Sequence, residues 1–226
     1  MTLGDQSGFT GNERQLKILI KALEEENILI WNKFNTQNGP RFRANLKGIN
    51  LSELNLKEIN LKGANLERAN LSKTDLRYAK MEDATLRGAN LSEADLRSSN
   101  LNGANLQNAI LINTNLTKAR MGKCNLEDAE MQGADMTEVS LTGAKIKPET
   151  ISKTVMKNTK LPGKIKVKST QNSEAAPPWL LAKEQENIRK QERLLREDNL
   201  KQEEGKRRLR RLGIKQPQME WDDDDD

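Results

Sequence analysis

The amino-acid sequence predicts a β-solenoid, a chain wound into short-sided coils stacked along one axis. Three observations carry that prediction. Leu, Ile or Met recurs at every fifth position from Leu46 to Leu161, 24 times without a slip. A small residue stands two places before it through most of the series, as at Ala64, Ala84, Ala104 and Ala134. The composition lacks the bulk of a layered globule, with 35% hydrophobic, 3% aromatic and 31% charged residues.

A period of five excludes the regular elements. On an α-helix five steps rotate by about 500°, so the large residues would wander around the surface. On a straight strand five is an odd number, so they would alternate faces. The small and large positions are two apart, however, and share a face within one extended segment. A bend once per repeat lets every such pair face a common interior. Gly48, Gly63, Gly88, Gly103, Gly133 and Gly143 recur two places after the large position and suit those bends. Asn or Asp fills most positions between small and large, as in Asn65, Asp75, Asn90, Asp95 and Asn105. Four small positions in the regular stretch are bulkier: Ile49, Leu54, Ile59 and Val139.

The unit A-N/D-L-x-x, seen in ANLKG, ANLER, ANLSE, ADLRS and ANLQN, resembles the repeat of the pentapeptide-repeat family. The resemblance is close over 44–146 and looser to 161. It implies a right-handed quadrilateral β-helix with four repeats per coil, so that 24 repeats give six coils. At about 4.8 Å per coil the stack is roughly 29 Å tall. Each layer is then filled by four large and four small side chains.

The ends are read in chain order. Residues 1–11 are expected to be a flexible N-terminus and 12–43 a helical cap with an entry loop. Within 13–34 the apolar Leu16, Leu19, Ile20, Leu23, Ile28, Ile30, Trp31 and Phe34 sit among good helix formers, giving one helix or two short ones. Asn12 is the expected N-cap. The segment is expected to lid the first coil, because solenoid ends expose open core and unpaired edges. The WNKF…GPRFRANL transition is also similar to the helix-plus-Trp-Asn lead-in that precedes the repeats of some cyanobacterial family members.

The β-helix is expected over 44–161, its end decaying at Pro148, Glu149 and Pro162 into a degenerate last coil or a capping loop. Residues 162–178 read as a linker, 179–212 as a charged helix and 213–226 as an acidic disordered tail. A sparse heptad seam through Leu181, Ile188 and Leu195 makes a weak coiled coil, so a solvated docking helix is the preferred reading.

No catalytic constellation is expected. There is no histidine, which removes the usual general base and metal ligand, and no phosphate-cradling glycine loop or metal-ligand spacing is found. Catalytic, cofactor and metal residues are therefore all read as none. The single cysteine, Cys124, sits in the small inward slot and reads as core filler. Without an apolar run of about 18–20 residues or a signal pattern, a soluble cytoplasmic protein is the expectation.

The net charge of +5, from 38 basic and 33 acidic residues, identifies no partner. Laid on four faces, outer charges alternate: one lane reads Lys47, Glu67, Arg87, Gln107, Glu127, Lys147. A second carries Glu53, Lys73 and Glu93; a third carries Lys57, Arg77 and Arg97 beside Asp75 and Asp95. This reads as a self-compensating ladder. The resemblance brings in DNA mimics that protect type II topoisomerases, but a mimic needs a one-signed acidic face, so that reading ranks third. The leading reading is a scaffold for an unidentified protein partner. The partner-binding candidates are Lys206, Arg207, Arg208, Arg210, Arg211 and Trp221. The basic cluster among them supports the runner-up, a tether to nucleic acid or an anionic surface.

Overall fold

The protein is represented by a computed structural model that describes residues 5–163 and Arg196. The regions read as linker, charged helix and acidic tail lie outside the described residues apart from Pro162, Gly163 and Arg196.

Two helices precede the repeats: α1, Glu13–Glu24, and α2, Ile28–Gln37. Asn12 caps α1 as expected, its Oδ1 accepting from the Gln15 N–H at 3.0 Å. Helix α1 stops in a left-handed residue, Glu26 at φ 49°. There the Glu26 N–H donates to the Leu23 carbonyl and the Asn27 N–H to the Ala22 carbonyl, the paired bonds of a Schellman ending. Asn27 then caps α2 through its Oδ1 and the Leu29 N–H. The apolar faces of both helices supply Leu19, Ala22, Leu23 and Trp31 to the same buried cluster as the repeats.

From Ala44 onward the chain winds in coils of twenty residues. All nineteen bridges are parallel and pair residue n with n + 20, from Asn45–Asn65 to Ser140–Lys160. Four five-residue sides therefore make one coil. A regular side makes three bonds to the next coil: Leu46 N–H to Asn65 O at 2.8 Å, Gly48 N–H to Glu67 O at 2.9 Å, and Asn65 N–H to Ala44 O at 2.7 Å. At nearly every corner a further bond closes a turn, as from Ile49 N–H to Leu46 O; the corner at Leu54 lacks it.

The corners are left-handed throughout. All twenty residues two places after the large position, from Gly48 to Gly143, have φ between 56° and 73°, and only six are glycine. A left-handed third residue is the geometry of a type II turn. A non-glycine residue pays on the order of 1 kcal/mol to stand there, which the inter-coil bonds over-determine. The Asn/Asp position supports the same turn: its Oδ1 accepts from the N–H two residues on, as in Asn50–Ser52 at 3.2 Å and Asp135–Thr137 at 2.9 Å.

Every large residue from Leu46 to Leu141 is buried. The bulky exceptions at small positions acquire a reason here. Ile49, Leu54 and Ile59 all belong to the first coil, 44–63, where no coil lies above. They and the helix residues Leu19, Leu23 and Trp31 fill one apolar cluster, so extra volume is needed where the layered stack ends.

At the far end the stack loosens. Thr150 forms no bridge to Glu130: its N–H turns to Lys147 O at 3.1 Å instead of to the coil above, and Glu149, too large and charged for the small slot, is exposed. Pairing resumes at Val155 and Lys160, so the alternatives resolve toward a degenerate last coil.

Candidate interaction surfaces

The outer side chains follow from the register. Because n + 20 lies directly below n, charges twenty apart meet. Lys47 and Glu67 pair at 3.1 Å across the first two coils, and Lys118 and Glu138 approach to 3.9 Å. Asp75 and Asp95 each take a fork of bonds from the arginine two residues on: Asp75–Arg77 at 2.6 Å and Asp95–Arg97 at 2.7 Å. Arg77 also reaches Asp95 in the next coil at 4.0 Å. Partial burial raises the Asp75 carboxyl, but the Arg77 hydrogen bonds and charge outweigh it and hold it below the usual carboxylate value. Opposite charges thus meet at Lys47–Glu67 in the first lane and through Asp75, Arg77, Asp95 and Arg97 in the third, while Lys147 at the end of the first lane pairs with Asp128 at 2.9 Å. The corner lane of Glu53, Lys73 and Glu93 has no such contact: its side chains are exposed and form no ion pair among the described residues.

Lys57 differs from the arginines below it because Asn55, not an aspartate, stands beside it. Its ammonium turns to Glu58 at 3.6 Å and over the Tyr78 ring at 5.7 Å. Cys124 is fully buried in its small slot, and burial pushes its thiol up to about 12.

The leading edge of the first coil is the second surface. Its four sides present backbone groups that in deeper coils bond to the coil above. Main chain and amide side chains from residues 5–35 stand in on three sides. Residues 5–11, read as a flexible N-terminus, are bonded here: Thr10 N–H donates to Lys47 O, and the Gln6 side chain both accepts from Asn50 N–H and donates to Asn50 O. The Asn12 N–H donates to Asn45 O, and Gln15 Oε1 accepts from Asn45 N–H at 2.6 Å. The Gly8 carbonyl crosses the corner where any side chain on Gly48, at φ 70°, would stand. On another side Trp31 Nε1 and the Asn35 amide donate to Asn60 O, while the Asn32 amide accepts from Asn60 N–H and donates to Glu58 O. The Trp-Asn pair singled out in the sequence is therefore a hydrogen-bonding clamp on the coil edge.

The fourth side is bare. Among the described residues nothing bonds to the N–H or C=O of Asn55 or to the C=O of Lys57. Sequence reading missed this side and the stand-in role of Gln6, Gln15 and Asn32, whose partners lie 25 or more residues away. The one available signal was Tyr78, the only tyrosine of the chain, standing in an outer slot. The sequence-predicted candidates Lys206, Arg207, Arg208, Arg210, Arg211 and Trp221 all lie outside the described residues. No helix among the described residues is long and apolar enough to cross a membrane.

Comparison with known proteins agrees with the geometry. The family model for pentapeptide repeats matches in eight copies, over 44–83, 79–117, 89–128 and 109–147. A pentapeptide repeat protein of the Arabidopsis thaliana thylakoid lumen is 35% identical, over 45% of this chain and 74% of its own, with a TM-score of 0.42. Rfr23 of the cyanobacterium Cyanothece 51142 is 34% identical, over 53% of this chain and 90% of its own, with a TM-score of 0.36. QnrB1, a plasmid-mediated fluoroquinolone resistance protein, is 16% identical, over 53% and 78%, with a TM-score of 0.27. No curated protein matches the sequence. With its unbroken five-residue period, its four-sided coils and its family match, this chain belongs to the pentapeptide-repeat family, whose fold is the right-handed quadrilateral β-helix.

Proposed function

We propose that this protein is a non-catalytic scaffold for protein–protein interaction. The carrying observation is the pairing of opposite charges across neighbouring coils, at Lys47–Glu67 and along Asp75, Arg77, Asp95 and Arg97. With the interior taken up by stacked aliphatic layers, only outer side chains and coil edges are available to a partner. Compensated faces suit recognition by shape and hydrogen bonding rather than long-range attraction. In this reading residues 12–43 act as a lid, 44–161 as the rigid prism, and the segment from 162 onward as a second recruiting arm in the cytoplasm. An affinity pull-down with the full chain against a version truncated after Leu161 tests it. The reading requires a defined protein retained by the full chain; retention of none refutes it.

The cluster Lys206, Arg207, Arg208, Arg210 and Arg211 supports a second reading, a tether to nucleic acid or an anionic surface. Salt-sensitive binding to random duplex DNA, lost when the five are changed to Ala, would support it. A topoisomerase-directed role, of the kind QnrB1's resistance name brings to mind, is not adopted. A duplex mimic needs a one-signed face, and the outer charges here alternate in sign, paired at Lys47–Glu67 and Asp95–Arg97. Gyrase supercoiling is accordingly expected to be neither inhibited nor protected from quinolones.

A further inference from the structure

Two large hydrophobic residues stand out among the described residues by exposure: Leu29 at 68% and Tyr78 at 54%. They lie on different elements, Tyr78 beside Lys57 at the end of the Asn55 side and Leu29 in the first turn of α2. Tyr78 occupies the corner one coil below Glu58, with Lys57 over its ring. Leu29 is placed by helix α2. Along α2 the Asn35 amide bonds to Asn60 O, and Asn32, one turn earlier, reaches back to Glu58 O. Leu29 lies one more turn back along α2, so the helix axis carries it in the direction of Asn55 with its side chain turned to solvent.

We infer that the Asn55 side of the first coil is a docking edge for an extended peptide segment of a partner protein. Main-chain bonds to Asn55 and Lys57 hold the segment, and its apolar side chains cover Leu29 and Tyr78. The inference rests on the scaffold reading and names where one partner sits.

The hydrogen-bonding groups decide the occupant. Asn55 bonds nothing in the coil below; that pairing runs through Leu54 O to Asp75 N–H and Leu56 N–H to Asp75 O. Its own N–H and C=O face away from the stack, as those of Asn45 do. On the Asn45 side the vacancy is filled by two main-chain donors, Thr10 N–H and Asn12 N–H, and one acceptor, Gln15 Oε1. An extended peptide offers that set, two N–H groups two residues apart and one carbonyl, and strand addition to a sheet edge is a general recognition mode. The side needs no charged partner, since Lys57 is matched by Glu58 and Arg77 by Asp75. An uncharged segment with one or two aliphatic or aromatic residues is the chemistry that fits.

The test uses the full chain. Ten-residue peptides displayed on phage are selected on it, and an enriched sequence is synthesised and titrated by fluorescence anisotropy. The variants are Asn55→Pro, Leu29→Glu and Tyr78→Ser. Proline removes the outward N–H without touching a bond to the second coil, but it also loses the turn bond from Lys57 N–H to Asn55 Oδ1, so Asn55→Ala, which loses that bond and keeps the N–H, is its control and should bind like the native protein. The other two change exposed side chains and should melt like the native protein. The inference expects enriched peptides rich in apolar residues, with binding weakened about tenfold or more by each variant. No enrichment, or affinity unchanged by the three variants, overturns it. A dimer in sedimentation that Asn55→Pro dissolves also overturns it, by giving the edge to a second copy of the chain. The two readings separate in the pull-down: a partner still held by the triple variant refutes the docking edge alone, whereas no partner held by the native chain refutes the scaffold.

Discussion

Replacing Leu106 by alanine tests the layered interior at its most enclosed point. Leu106 is fully buried in the fourth of six coils, with Leu86 above and Leu126 below it in the same column, both also fully buried. Leu→Ala in a core costs about 2–5 kcal/mol, depending on how far the surroundings collapse into the gap. Collapse is restricted here. The wall around the gap is backbone tied to both neighbouring coils, through Leu106 N–H to Asn125 O at 2.7 Å and Asn105 N–H to Ala84 O at 2.9 Å. The loss should therefore fall in the upper half of that range, about 3–5 kcal/mol, which lowers the melting temperature by roughly 10 °C in a protein of this size. Leu161, only partly buried at the end of the stack, is the control, and its alanine variant should cost less than about half as much. Leu106→Lys should not fold, because a charge in a filled layer costs several kcal/mol. Thermal melts followed by circular dichroism read all three. A Leu106→Ala variant melting within about 2 °C of the native protein, or Leu161→Ala costing as much, refutes the reasoning.

Three further predictions follow from individual side chains. Ser99 is buried with no partner for its hydroxyl, whereas the Thr114 hydroxyl donates to Leu91 O at 2.8 Å. Ser99→Ala should therefore raise urea stability by about 1 kcal/mol and Thr114→Ala lower it by a similar amount. Equal signs would contradict the assignment. Asp75 titrates below its usual 3.8 when folded, so its contribution is full above that value and is lost as pH falls through the lowered one. Asp75→Asn should cost at most about 1 kcal/mol at neutral pH, the pair being partly exposed, and should flatten the acid limb of the stability profile. An acid limb identical to that of the native protein would refute it. The Cys124 thiol should resist a thiol reagent at pH 8 in the folded protein and react at once in denaturant; rapid labelling of the folded chain would show that the small slot is open.

What the sequence discloses and what it conceals separate along physical lines. The interior was legible because each large residue makes the same demand every five positions, and a repeated local demand shows in one dimension. Four sides per coil came through the family resemblance, since nothing in a five-residue period counts sides; the pairing of Asn45 with Asn65 supplies that number. The corners were half legible. Glycines such as Gly103 marked bends, but Arg68, Lys73 and Glu93 adopt the same left-handed φ under constraint from the coils around them, and their side chains give no sign of it. Ile49, Leu54 and Ile59 were visible as exceptions whose reason, the missing coil above, is tertiary. Concealed altogether were Gln6, Gln15 and Asn32, because an amide that stands in for a strand looks like any polar surface residue until the edge it completes is seen.

The central claim is that residues twenty apart lie one coil apart on a common face. Spin labels at Ser52 and Gln132, in the same outer lane four coils apart, test it by electron paramagnetic distance measurement in a background with Cys124 replaced by Ala. The account predicts a separation of about 20 Å, four steps of about 4.8 Å, broadened by the label arms. A distance beyond roughly 35 Å would contradict it.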